Sequence, residues 1–405
     1  MKARLVALLA VVGPGVLAGL SDDDPPGITT YSIQGAKYGY SLLWVLLLST
    51  VALVVFHELG ARMGVATGQG LVGIVRERYG VRVAVGGLAA LVIANLGTTC
   101  AEFAGVAAAC ELAGISRYVS VPVAAVAVSA LVLKGSFRRV EHVLLAIAAV
   151  FAAYIASAVL AHPAWSQAGR GVVVPQLPFT REALLVVTAT IGTTLAPWGL
   201  AFIQSYVVDK RLGVKDFKYE RIDVATGAVM TGVIGAMVVI ACAATLHPLG
   251  ITITDARDAA VALEPLAGGL ASTLFGVGLV GAALIAASIL PLSTAYSVCD
   301  GLGVEAAVDD RPSEAPIFYG TYAVVTLVSV GIVLTPGAPL IPILFLTQAL
   351  NAVLLIPLLV MIIGVARDRN LMGDLVVGRI GTAVAVASLG LVAASVAALA
   401  VLTVA

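Results

Sequence analysis

The chain of 405 residues is 60% hydrophobic and 11% charged, and its 23 basic and 23 acidic side chains leave no formal net charge. Mean hydropathy is +1.06, and apolar runs of about 20 residues, each long enough to cross a hydrocarbon core about 30 Å thick, recur from end to end. That pattern excludes a soluble globular core, and the balanced charge argues against a nucleic-acid partner.

Apolar runs bounded by charged or Pro/Gly punctuation predict eleven membrane segments in chain order, at about 5–35, 42–66, 83–112, 119–134, 140–161, 183–208, 223–247, 267–298, 317–335, 339–366 and 380–403. Met1-Lys2-Ala3-Arg4 before Leu5 to Leu20 resembles a signal peptide. Gly13-Pro14-Gly15 breaks that apolar run, however, and no A-x-A site precedes the acidic residues beyond it, so the first segment is expected to be retained. With the N-terminus cytoplasmic, every basic residue except Lys37, Arg117, Arg170, Arg181 and Arg257 falls on the inner side. This bias predicts an N-in, C-out, multi-pass protein of the plasma (inner) membrane. The longest outer loop is expected over 162–180, which leaves no room for a large soluble domain. Cys100, Cys110, Cys242 and Cys299 lie in or beside apolar segments without CxxC spacing and read as packing residues.

The first segment contains Ser21-Asp22-Asp23-Asp24-Pro25-Pro26-Gly27. A carboxylate at membrane depth costs about 2.5–3.5 kcal/mol on insertion scales unless it meets water, an ion or a partner. Two prolines remove two amide donors and free carbonyls that must bind something else. A cation offsets both costs; the alternative is an exterior turn after a short helix. The sixth segment is punctuated again at Gly192-Thr193-Thr194-Leu195-Ala196-Pro197-Trp198-Gly199. Segments one and six are five apart, as expected for inverted repeats over 1–161 and 183–366 followed by an extra helix over 380–405, and paired broken helices point to a transporter's midplane site. The ligands expected there are the Asp24 carboxylate and freed carbonyls around Ser21 and Thr193. Glu102 and Gln348 are further polar residues inside apolar segments, each either a site group or a buried structural hydrogen-bonder. Asp22 and Asp23 either line a vestibule that concentrates cations or form a solvated pair at the helix break.

Two other motifs carry no chemistry. His57-Glu58-Leu59-Gly60-Ala61 begins like a zinc protease helix but has alanine where the second histidine is required. The glycine-rich Gly276 to Leu284 lacks the Lys-Ser/Thr and strand of a phosphate loop and reads as a packing face.

Several stretches together resemble one family, the Nramp divalent-metal transporters: Gly13-Pro14-Gly15, Gly35 to Trp44, Ala61 to Gly68 with Arg76 to Gly80, and Asp368 to Gly373. The resemblance implies a LeuT-type, all-α membrane fold with 5+5 inverted repeats plus one helix and broken helices 1 and 6. It implies a transporter rather than an enzyme, with a divalent metal as substrate, no cofactor, the lipid bilayer as surroundings and no obligate protein partner. The family's helix 1 motif Asp-Pro-Gly-Asn stands here as Asp24-Pro25-Pro26-Gly27, and its helix 6 motif Met-Pro-His as Ala196-Pro197-Trp198; the aspartate expected three residues before Glu102 is Thr99. The thioether ligand, an amide ligand and the histidine of the proton route are therefore absent. Hard oxygen ligands suit Mg²⁺, Ca²⁺ and Mn²⁺ better than softer metals, and Mg²⁺ tends to keep several waters. The pattern resembles the Nramp-related magnesium transporter branch, and the expected substrate is partly hydrated Mg²⁺, with Mn²⁺, moved without proton coupling. The alternative of the same fold is a proton-coupled Mn²⁺/Fe²⁺ importer. An organic-solute symporter and a non-transporting membrane sensor are more distant alternatives, the first disfavoured because Asp24 repels a substrate carboxylate.

Overall fold

The computed structural model describes residues 23–133, 153–304 and 311–404. Every regular element among them is a helix: α1 (Pro25–Tyr38), α2 (Leu43–Thr67), α3 (Leu71–Tyr79), α4 (Val81–Leu112), α5 (Arg117–Leu133), α6 (Ala153–Leu160), α7 (Trp165–Val173), α8 (Arg181–Thr194), α9 (Pro197–Asp209), α10 (Phe217–Thr245), α11 (Ala256–Ala260), α12 (Glu264–Ala267), α13 (Ala271–Leu302), α14 (Pro316–Val333), α15 (Leu340–Ala366), α16 (Arg369–Met372) and α17 (Arg379–Val404). Among the described residues eight spans are long and apolar enough to cross a membrane, with α5 a shorter apolar helix. The start of the first predicted segment and most of the fifth lie outside the described residues.

Helix α1 packs against α4, α8, α10 and α15, and α4 runs between α13 and α15. These contacts put α1 and α8 at the centre and leave α17 at the edge, on α2, α8 and α15. Pro122, Pro291 and Pro357 sit inside α5, α13 and α15 without ending them. Prolines of this kind are tolerated where neighbouring helices satisfy the freed backbone groups.

Two stretches read as loops in the sequence fold as helices. The 162–180 connection contains α7, whose Ala168 and Gly171 are buried. A Cβ at Gly171 would run into the Tyr40 backbone, so this short helix docks by close backbone approach. Between the second and third predicted segments, α3 is held by a group from far along the chain: Asp300 Oδ2 accepts the Gly73 amide at 2.6 Å. Added Cβ atoms at Gly70 and Gly73 would meet the same carboxylate at 2.7 and 2.5 Å. Asp300 thus does for α3 what an N-cap side chain normally does. Asp300→Ala is expected to cost about 0.5–2 kcal/mol, read as a lowered thermal midpoint of the purified protein, with Asp300→Asn retaining most of it; an unshifted midpoint in the alanine variant contradicts the cap.

Candidate metal site

A helix start and a helix break build the candidate site. Asp24 is extended (φ −83°, ψ 171°) and caps α1, its Oδ1 accepting the Gly27 amide at 2.7 Å. Pro25 and Pro26 open the helix, where a missing amide costs no intrahelical bond. On the facing strand of chain, α8 ends at Thr194 and α9 starts at Pro197. Ala196 leaves helical geometry (φ −47°, ψ 129°), the conformation proline favours in the residue before it. Only Leu195 and Ala196 are outside a helix, a shorter interruption than the Gly192 to Gly199 punctuation. Thr193 remains helical, but its carbonyl falls four residues before Pro197, which has no amide to give, so it stands outside the helical ladder.

Two glycines bring in the other polar groups. A Cβ at Gly105 on α4 would collide with the Pro25 ring and lie 3.8 Å from Leu344 Cδ2 on α15. Glu102 is one turn along α4 from that contact, and Gln348 one turn along α15 from Leu344. A Cβ at Gly192 on α8 would strike the Gln348 carbonyl and lie 2.7 Å from the Ala352 amide nitrogen. Thr193 is the neighbour of this seam. The Asp24 and Glu102 carboxyls are neighbours, and both are buried.

The site is sealed: Asp24 is 4% exposed, Glu102 0%, Thr193 2%, Ala196 4% and Gln348 1%. Gly27 is buried as well. Gln348 directs its amide along its own helix, Nε2 donating to Thr347 Oγ1 at 3.3 Å and Oε1 accepting from Asn351 Nδ2 at 3.0 Å. Ser21 and Asp22 lie outside the described residues. Asp23 is buried, 2% exposed, rather than on an open vestibule wall. Two clefts flank the centre. One, of about 600 Å³, is bounded by Ala108, Glu111, Arg117, Asp255 and Ala338; the other, of about 700 Å³, by Arg76, Glu77, Tyr296, Cys299 and Asp300. Neither has Asp24 in its wall.

The seam joining α1 to α8 went unnoticed in the sequence. Thr194 Oγ1 donates to the Thr190 carbonyl at 2.8 Å, so the Tyr31 hydroxyl, 3.0 Å away, donates to Thr194. Thr190 Oγ1 donates to Gln34 Oε1 at 2.7 Å. The signal was there as polar residues at helical spacing in apolar surroundings, Tyr31 with Gln34 and Thr190 with Thr194.

Two buried carboxylates side by side are unfavourable unless positive charge is shared between them. The groups at hand are carboxylate, carbonyl and amide oxygens, with alanine at the break and the Trp198 ring buried behind it against Phe202, centroids 6.0 Å apart. Among the described residues no group of three or more His, Cys, Asp or Glu side chains is placed to hold a metal. Such an oxygen set suits a hard cation that brings its own remaining ligands as water.

Comparison with known proteins agrees with this architecture. A divalent metal cation transporter, MntH, from Burkholderia ambifaria is 31% identical over 290 residues, 69% of this chain, and the match spans 65% of that relative's length, just short of two thirds. Among solved structures, a manganese transporter of Eremococcus coleocola superposes with a TM-score of 0.77 over 96% of this chain and 85% of its own, at 18% identity. A nucleobase-cation-symport-1 family transporter in a closed conformation gives 0.59 over 96% and 91%, at 15% identity. At these identities the structural likeness establishes the all-helical LeuT-type fold alone. The family profile described as natural resistance-associated macrophage protein-like, Nramp, matches residues 15–404, and the chain therefore belongs to the Nramp family.

Proposed function

We propose that this chain carries divalent metal ions across the membrane by alternating access, and that its preferred cargo is partly hydrated Mg²⁺, with Mn²⁺ also accepted. The ion sits between the broken helices, on Asp24 with the Thr193 carbonyl, and with Glu102 and Gln348 close by; Ser21 supplies a further carbonyl. Gly27 and Ala196 contribute space rather than ligands. The repeats are 1–161 and 183–366 with 380–405 as an added helix, in the plasma membrane with the N-terminus cytoplasmic and the C-terminus outside. Family membership and the metal-transporting roles of the Burkholderia and Eremococcus relatives support the substrate class. One observation carries the finer reading: Asp24 and Glu102 form a buried carboxyl pair, and the α8–α9 break has a short Ala196 where a sulfur would otherwise stand. Transport is uncoupled to protons, because Trp198 and Thr99 stand where titratable partners of a proton route are expected.

Glu102 favours a second reading, a proton-coupled Mn²⁺ or Fe²⁺ importer, since a buried acid beside the ion's carboxylate can exchange a proton. Uptake into proteoliposomes loaded with a pH dye decides between them. Mg²⁺ uptake without internal acidification is the expected result; Mn²⁺ uptake with acidification and no Mg²⁺ uptake establishes the second reading. In the same assay Ala196→Met is expected to move preference toward transition metals by restoring a thioether, and unchanged selectivity removes the break residue as its determinant.

A further inference from the structure

Below the carboxyl pair, toward the end of α4 that carries Arg82, lies a column of buried amides and hydroxyls. Asn95 is two turns along α4 from Glu102 on the same face, and Asn351 is one turn along α15 from Gln348. Thr294 Oγ1 donates to the Leu290 carbonyl at 2.9 Å, so toward Asn95 it only accepts, and Asn95 Nδ2 faces it at 2.9 Å. Thr98 Oγ1 donates to the Ala94 carbonyl at 3.1 Å; Asn351 Nδ2 then bridges Thr98 Oγ1 and Gln348 Oε1, each at 3.0 Å. This bookkeeping fixes the orientation of both amides. It leaves Asn95 Oδ1 and Asn351 Oδ1 buried with no hydrogen-bond partner among the described residues, and Ser293 Oγ beside Thr294 is in the same position. The three residues are 1%, 0% and 3% exposed. An amide oxygen can only accept, so what satisfies it must bring positive charge or a donated hydrogen. One turn beyond Ser293 and Thr294, Tyr296 already lines the cleft that contains Asp300 and Glu77.

We propose that Asn95, Thr98, Ser293, Thr294 and Asn351 form a second station for the hydrated divalent cation, between the Asp24–Glu102 pair and the Asp300 cleft. The station rests on the transport reading above. Its oxygens are neutral, so it holds the ion through its water shell and releases it readily, whereas Asp24 holds it by charge. The station therefore sets how fast the ion leaves, and Asp24 sets how tightly it binds.

The test uses the full chain in proteoliposomes for Mg²⁺ and Mn²⁺ uptake, with Mn²⁺ binding read from loss of the free-ion electron paramagnetic resonance signal. Asn95→Leu and Asn351→Leu are each expected to slow uptake of both ions about tenfold while leaving Mn²⁺ affinity at the Asp24 site unchanged. Because leucine also deletes hydrogen bonds, Asn351→Asp is the second arm: a fixed charge at the station is expected to raise Mn²⁺ affinity and slow uptake together, which a purely structural asparagine does not do. Leucine variants that transport at the wild-type rate, or an aspartate variant with unaltered Mn²⁺ affinity, overturn the second station and leave the transport reading standing. A wild-type protein that takes up neither ion overturns the transport reading itself.

Discussion

Asp24→Asn is expected to lower Mg²⁺ and Mn²⁺ uptake by about a hundredfold or more while the protein stays folded. Asparagine caps a helix about as well as aspartate, so the Gly27 amide keeps its acceptor and α1 keeps its start. What is lost is the charge. Removing one partner of a buried, charge-assisted contact costs about 2–5 kcal/mol, and every 1.4 kcal/mol is a factor of about ten. Uptake and thermal unfolding measured on the same preparation separate the two effects. If Asp24→Asn transports at the wild-type rate with an unshifted midpoint, the ion binds elsewhere.

The second large effect is on folding. Gly192→Val is expected to prevent formation of a stable protein, because the added carbons meet the Gln348 carbonyl and the Ala352 amide, both backbone, which cannot move aside as a flexible side chain does. Overpacking in a compliant core costs about 1–3 kcal/mol; a rigid helix seam stands at the upper end or beyond. Gly86→Ala is the matched control. It lies on α4 with nothing within 4 Å of the added carbon, so its thermal midpoint should hold or rise slightly, as for an ordinary helical alanine. Equal midpoints for Gly192→Val and Gly86→Ala would show that α8 and α15 do not touch at Gln348.

The sequence was informative wherever a residue was expensive in isolation. Asp24 and Glu102 stand out because a carboxylate in hydrocarbon demands compensation, whatever the partner. Pro197 stands out because it removes an amide locally, and the interruption falls at the two residues before it. What could not be read was pairing at a distance. Nothing local says that Gly105 accommodates Pro25, that Gly192 meets Gln348, or that Asp300 caps a helix beginning at Leu71; each depends on where two remote helices cross. The short helices α3, α7 and α11 escaped for a related reason, since they are too brief and polar to register as membrane segments and are held by contacts rather than by propensity. Hydropathy likewise says nothing about which oxygen of Asn95 or Asn351 is left over once the hydrogen bonds are assigned.

The Pro25–Gly105 contact bears on how the two sides of the ion differ. From Ala108, in the wall of the Glu111 cleft, to Glu102 is six residues of α4, about 9 Å, and within that interval the Pro25 ring lies on Gly105 with Leu344 beside it, among other buried apolar side chains. The partition on this side is apolar, and the Pro25 ring of α1 is part of it. On the Asp300 side the intervening column is lined with amides and hydroxyls, so on the proposal above a passage there would open by wetting rather than by parting an apolar seal.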